Sequence, residues 1–340
     1  MPDATKIDVE AFTLAKDPET PSRNEDRYVV IPGRAYAVID GVSDKTGLRH
    51  QGLTGGQLAG RMVEEVIRRE CDRSHPETID GVELAECFEK RFQRVHDDIR
   101  RDNTNKTPPN LMFGAQLALA LQGTRSFRFI LIGDSGLRLN GREVFWANHP
   151  LDAICSAIRK AVWGLLTEHG VPAERKHEIA RAYTVEGLGA VLKLWADHID
   201  GDALVRLRQT VFDSLNGRRE EVDAETLKRA IRGGLREQSL YINRHHPLGY
   251  PCINGFPIPS DFIVQFDREI EDVETIELFS DGYFGYPEGT RIADWEDRLA
   301  RIEATDPEKI GDHASTKGSS NGRFSDDRTI LIARRDPRNP

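Results

Sequence analysis

An apolar run that ends directly on a carboxylate does most to limit what this chain can fold into: Ala37, Val38 and Ile39 are followed at once by Asp40 and Gly41. An unbroken run of small and β-branched residues suits a buried strand, and the Asp-Gly pair marks where that strand leaves the core. Asp40 is thereby carried on a rigid element. Gly41 permits a tight turn, so its own carbonyl can face whatever Asp40 binds. The arrangement recurs along the chain. Residues 277–279 lead into Ser280-Asp281-Gly282, residues 129–132 lead into Gly133-Asp134-Ser135, and Asp326-Asp327 stands directly before the strand-like run 329–333. A single carboxylate at a strand end is commonly a turn former or a helix cap. Four of them together call for a shared purpose.

The remaining elements follow from periodicity and punctuation. Residues 7–15 and 28–31 read as strands, and Gly33 makes the turn into the strand that ends at Asp40. A hairpin there sets Glu25 and Asp26 near Asp40, although a charged cluster such as 23–27 is also how a solvated turn reads. Helical spacing of apolar residues covers 57–70, with Leu58, Met62, Val63, Val66 and Ile67, and 82–101, with Leu84, Phe88, Phe92, Val95 and Ile99. Residues 111–121 and 127–132 are expected as adjacent antiparallel strands of a central sheet, continued by a third strand at 137–139. Two helices after one strand group, then a β meander, predicts an α+β fold.

From 151 to 241 the periodicity is helical throughout, with helices expected at 152–169, 172–186, 203–215 and 224–243. Strands return at 262–266 and 277–279, a helix is expected at 294–304, and the last strand ends at Ala333. Length gives a prior of about two domains at roughly 150 residues each. The expected division is a discontinuous domain of residues 1–150 and 245–340, interrupted by a mostly helical insertion at 151–244.

The net charge of -9 argues against nonspecific nucleic-acid binding, which needs a basic face to displace counterions from phosphates. Cys71, Cys87, Cys155 and Cys252 are far apart and lack C-x-x-C spacing, which predicts reduced thiols and no structural zinc. No stretch approaches the ~20 apolar residues of a membrane helix, and the first residues carry no basic and apolar leader pattern. A cytoplasmic protein without membrane association is expected.

Taken in order, Asn24-Glu25-Asp26, Asp40-Gly41-Val42, Gly55-Gly56, Gly133-Asp134-Ser135, Ser280-Asp281-Gly282 and Asp326-Asp327-Arg328-Thr329 resemble the motifs of the PPM family, the metal-dependent (type-2C) serine/threonine phosphatases. The resemblance covers roughly residues 8–150 and 245–335. It implies a four-layer α/β/β/α sandwich of two antiparallel sheets, with the helical insertion at the position of the family's variable flap. It also implies two Mn²⁺ or Mg²⁺ ions. Asp40 would bridge both, the Gly41 carbonyl would complete one shell, and Asp281 and Asp326 the other. Glu25 and Asp26 would hold metal-bound waters. Asp326 is preferred to Asp327 because the family's pattern counts three residues from the ligand to the Thr, here Thr329.

The chemistry is consistent with that set. Carboxylates gathered at one place repel by about 4 kcal/mol per pair at ~4 Å and an effective dielectric near 20, so they need cations to stay ionised. Oxygen-only ligands suit hard ions such as Mg²⁺ and Mn²⁺. Two such ions about 3.5 to 4 Å apart can bridge a water, lower its pKa and aim it at a phosphoryl group. The resemblance thus implies phosphomonoester hydrolysis, with a phosphoserine or phosphothreonine protein as substrate. A small-metabolite phosphatase and a pseudophosphatase that only binds are the rival readings.

Three departures from the family pattern stand out. The position of its phosphate-binding Arg holds Pro21, leaving Arg23 as the nearest candidate and Arg49, Lys45 and Lys16 as others. The Asp expected four residues after Asp281 is Gly285, so Asp134 would lack its partner for a third, weak ion. Gly136 stands for the Arg of the family's Gly-Asp-Ser-Arg, and Val42 for a His that some members carry, which leaves the general acid to candidates such as His149, His245 and His246.

Overall fold

Among the described residues, ten strands form two five-stranded sheets, antiparallel throughout, whose orders follow from which hairpins stay together and which strands pair from opposite ends of the chain. In the computed structural model, which describes residues 7–42, 49–101, 113–147, 149–215, 217 and 222–335, the strands are β1 (Ile7–Leu14), β2 (Arg27–Ile31), β3 (Ala35–Gly41), β4 (Ala115–Gln122), β5 (Ser126–Ile132), β6 (Gly136–Leu139), β7 (Glu143–Phe145), β8 (Val264–Glu269), β9 (Thr275–Phe279) and β10 (Arg328–Arg335). One sheet has the order β1-β10-β9-β6-β7 and the other β2-β3-β4-β5-β8. The first strand lies against the last, Leu14 opposite Arg328 and Ile7 opposite Arg335. The fold is α+β.

The chain divides into two compact units, the first comprising Met1–Ala147, Pro251–Ala300 and Asp326–Pro340. Within it, side-chain alternation sorts three cores. Val29, Ala37, Ile39, Leu119 and Ile130 face α1 (Gly55–Arg73) and α2 (Gly81–Arg101), meeting Met62, Val66, Phe88 and Phe92. Residues one place along the same strands, Val38, Ala118, Ala120, Phe129 and Leu131, pack against Leu137, Leu278, Leu331 and Ala333 of the other sheet. The far face of that second sheet, with Phe279, Ile330 and Ile332, is covered by Trp295 and Leu299 of the last helix, which starts at Ile292. The period-2 pattern thus gives each sheet two buried faces, and the layers run helix, sheet, sheet, helix.

The second unit comprises Asn148–Tyr250 and Arg301–Ser325. It holds α3 (Pro150–Glu168), α4 (Ala173–Glu186), α5 (Gly201–Ser214) and α6 (Ala224–Gly233), and then α7 (Ile292–Thr305) enters it at its C-terminal end. Residues 301–325 pack here rather than with the discontinuous domain where the sequence placed them. The buried Arg159 donates to the carbonyl oxygen of Lys309 at 3.2 Å, and the buried Lys309 ammonium pairs with Glu303 at 2.7 Å.

Three expectations change. Residues 137–139 do not extend the central sheet; β6 pairs with β9, in the other one. At this turn Gly133 takes φ +95°, and Gly136 pairs with Phe279 of β9, whose ring a side chain at Gly136 would meet. The helix expected over 224–243 stops at Gly233, because Gly234 has φ +57° and the chain continues as a 3₁₀ turn, Gly234–Leu240. The strand expected at 262–266 starts two residues later, after a 3₁₀ turn at Ser260–Phe262. Residues 111–112 and Lys45 lie outside the described residues.

Candidate functional site

The acidic strand ends named above lie in the first unit, and the site is assembled from the backbone outward. Asp40 is the last but one residue of β3, opposite Gln116 of β4. Gly41 makes a close approach that only glycine allows: a Cβ there would lie 2.5 Å from the Glu25 carbonyl oxygen and 2.6 Å from that of Gly56. Gly56 returns the contact, its own Cβ position being 2.8 Å from the Gly41 carbonyl oxygen. The start of α1 is thus pressed against the end of β3.

That helix begins with a capping box, in which Thr54 Oγ1 accepts from the Gln57 N–H and the Gln57 side chain accepts from the Thr54 N–H. The same Thr54 hydroxyl donates to Glu25 Oε1 at 2.6 Å. Glu25 is 5% exposed, so the helix cap also orients a buried carboxylate.

Asp26 is held from the other sheet. Ser280 Oγ donates to Asp26 Oδ2 at 2.7 Å and accepts from the Thr329 N–H at 2.9 Å. Asp327 accepts from the backbone N–H of Lys16 at 2.7 Å and from that of Glu25 at 2.9 Å. Its carboxylate ties three segments together. Asp326, one residue earlier, accepts from the Asp327 N–H at 3.1 Å and keeps side-chain exposure of 17%. Gly282, after Asp281, fits beneath the Asp327 carbonyl only because it has no side chain.

The electrostatics show that these carboxyls share one field. Burial pushes the Asp40 carboxyl well above its ordinary range, and the charges of Asp281, Asp26, Asp134 and Asp326 push it further. Asp26 is raised too, first by burial and then by Asp327, against the lowering effect of Ser280; Asp326 and Asp281 add to the rise. Among the described residues, no three His, Cys, Asp or Glu side chains are drawn together tightly enough to grip a metal ion as they stand. Lys16 takes part instead: its ammonium lies 3.4 Å from Glu25, 3.5 Å from Asp326 and 3.7 Å from Asp327. A cluster of oxygen donors whose charges raise one another's pKa fits hard divalent cations, which would relieve the repulsion.

Other candidates fall elsewhere. Arg23 sits exposed on the 3₁₀ turn Pro21–Arg23 that leads into Glu25. Arg49 is bonded to the Gly52 carbonyl oxygen. Asp134 contributes charge to Asp40, and its carbonyl oxygen accepts from Trp146 Nε1 at 2.7 Å. At the position after Asp281 where the family pattern has its further Asp, Gly285 takes φ +70° against the Arg298 side chain. His149 and His246 belong to the second unit, where the His149 ring lies tilted against Tyr250 and His246 Nδ1 accepts from the Leu248 N–H. Thr54 was the residue sequence reasoning overlooked. The T-x-x-Q of its capping box was legible, but nothing in the sequence says that a cap also faces Glu25.

The chain is similar to solved serine/threonine phosphatases over nearly its whole length. Stp1 from Staphylococcus aureus is 13% identical, with 99% of this chain and 98% of that one covered and a TM-score of 0.45. The Mycobacterium tuberculosis phosphatase PstP/Ppp is also 13% identical, covering 97% and 99%, with a TM-score of 0.45. A PstP catalytic domain in complex with two manganese ions is 11% identical, covering 96% and 97%, with a TM-score of 0.42. Likeness of this degree assigns neither metal nor substrate to the present chain. No protein-family model matches, and no curated protein does. Among the described residues no helix is long and apolar enough to cross a membrane.

Proposed function

We propose that the first unit is a phosphatase domain that hydrolyses phosphomonoesters with two bound Mn²⁺ or Mg²⁺ ions, and that its substrates are phosphoserine and phosphothreonine proteins. One observation carries this reading: Asp40 stands at a rigid strand end within reach of the charges of Asp281, Asp26, Asp134 and Asp326, four aspartates from separate parts of the chain. Such a grouping costs stability unless cations complete it. Asp40, the Gly41 carbonyl, Asp281 and Asp326 would hold the ions, and ions bound there supply Lewis acidity and a water of lowered pKa. Asp326 is preferred to Asp327 as the ligand in this reading, Asp327 instead accepting the backbone N–H groups of Lys16 and Glu25.

The chain's own groups then divide the remaining work. Glu25 and Asp26 orient waters from fixed positions, Glu25 held by Thr54 and Asp26 by Ser280. Arg23, exposed at the entrance to the Glu25 turn, is the cation proposed for the phosphoryl oxygens. Asp134 would contribute to a weak third ion position. Hydrolysis is direct, with no phosphorylated side chain.

The test is hydrolysis of p-nitrophenyl phosphate and of phosphoserine and phosphothreonine peptides with and without Mn²⁺. Turnover that needs Mn²⁺ and falls by at least about 10³-fold in Asp40→Ala, Asp281→Ala and Asp326→Ala is expected, the size of a lost electrostatic stabiliser. Near-normal turnover in any of the three at saturating metal contradicts the ligand assignment. Turnover of small phosphate esters alone contradicts the protein substrate, and tight Mn²⁺ binding without any turnover contradicts the enzyme.

A further inference from the structure

We infer that Lys16 is a built-in counterion that stands in the acidic site until divalent ions displace it, and so sets the affinity of the site for them. The inference rests on the two-ion reading above. Its starting point is the register of the chain ends. Leu14 lies opposite Arg328 at the end of the β1–β10 ladder, and Lys16 and Asp326 lie in the bends two residues beyond that end on each strand. The backbone there is fixed, because the Lys16 N–H donates to Asp327 Oδ1 at 2.7 Å. The side chain then reaches three carboxylates from different segments, Glu25, Asp326 and Asp327, at 3.4, 3.5 and 3.7 Å.

Two of these acids have other work. Asp327 is taken up by backbone donors and Glu25 by Thr54. Asp326 is different, since its role in the proposed chemistry is to hold an ion, and the ammonium lies where that ion's charge would be needed. A lysine side chain has four rotatable methylenes and a compact charge, so it can leave without disturbing the strand that carries it. Its side chain is one-third exposed. Lys16 therefore neutralises part of the acidic charge when no metal is bound and swings to the rim when one is. Glu25 and Asp326 keep their positions in both states.

The test compares wild type, Lys16→Met and Lys16→Arg by Mn²⁺ titration in a calorimeter and by melting in chelator. Loss of a cation within ~4 Å of a ligand changes its preference for another positive charge by about 10- to 1,000-fold, so Lys16→Met is expected to bind Mn²⁺ at least about tenfold tighter. In chelator it is expected to melt lower than wild type, with Lys16→Arg close to wild type in both measurements. Unchanged or weaker Mn²⁺ binding by Lys16→Met overturns the inference while leaving the two-ion site intact. Absence of Mn²⁺ binding in wild type overturns the site reading itself, and this inference with it. Should Lys16→Met fail to fold in chelator, Lys16→Gln, which keeps a polar tip without the charge, takes its place in the titration with the same outcomes.

Discussion

At the scale of single residues, the site is a set of carboxylates held short of their preferred surroundings. Asp26 and Asp40 both have raised carboxyl pKa values, so the native metal-free protein binds their protons more tightly than the unfolded chain does, whose value is near 3.8. The stability they contribute is fully present below that value and is lost as pH rises through the raised one. In chelator, the melting temperature is therefore expected to fall as pH rises above the ordinary carboxylate range and through the raised values. Asp40→Asn removes one of the repelling charges, which should flatten that fall and raise the melting point at the alkaline end, by on the order of 2–4 °C per kcal/mol relieved. A melting point of Asp40→Asn equal to wild type in chelator across the range would show that the carboxyl carries no such strain. Asp40 and Asp281 stand out in the sequence as carboxylates at the ends of apolar runs, whereas the preference for Asp326 over Asp327 came from the family pattern; the structure adds that Asp327 accepts two backbone N–H groups.

At the scale of elements, β6, β9 and β10 are fastened by a second set of side chains, distinct from the proposed ion-binding carboxylates. Arg138 of β6 forms a fully buried pair with Glu277 of β9, Nε to Oε1 at 3.0 Å, and donates to the carbonyl oxygens of Gly289 at 2.6 Å and of Pro287. Trp295 of α7 adds a donor to Glu277 Oε2 at 2.7 Å. Burial nevertheless lifts the Glu277 carboxyl above its ordinary range, as expected of a charge removed from water. On the same face Arg328 of β10 and the Tyr283 hydroxyl both donate to Glu296. These groups clamp the loop that follows Asp281. Arg138→Met leaves Glu277 buried and uncompensated and should cost about 3–5 kcal/mol, with Glu277→Gln also destabilising; chemical denaturation measures both, and a loss under ~1 kcal/mol would contradict the clamp. None of this was readable from periodicity. Arg138 was taken as part of a strand continuing the central sheet, and the glycines that redirect it, Gly133 and Gly136, act through contacts with Gln116 and Phe279 that are distant in sequence.

At the scale of the molecule, residues more than three hundred positions apart are made neighbours by pairing the first strand with the last, Thr13 Oγ1 meeting Thr329 Oγ1 at 2.7 Å. Most elements were legible from apolar strand runs and from the apolar stripe of each covering helix, whereas the four-layer order was implied only by the family resemblance. The breaks that depend on a single backbone conformation, as at Gly234, were not, and neither was the packing of residues 301–325 with the second unit, which polar loop composition leaves undetermined. The central claim is that this topology converges Asp40, Asp281 and Asp326 on one divalent-ion pocket. Anomalous diffraction from crystals soaked in Mn²⁺ addresses it most directly. Two peaks about 3.5–4 Å apart, with Asp40 between them and Asp281 and Asp326 within coordination distance, are expected. A soaked crystal with no anomalous peak beside Asp40, or with Mn²⁺ held by a different set of side chains, would contradict the account.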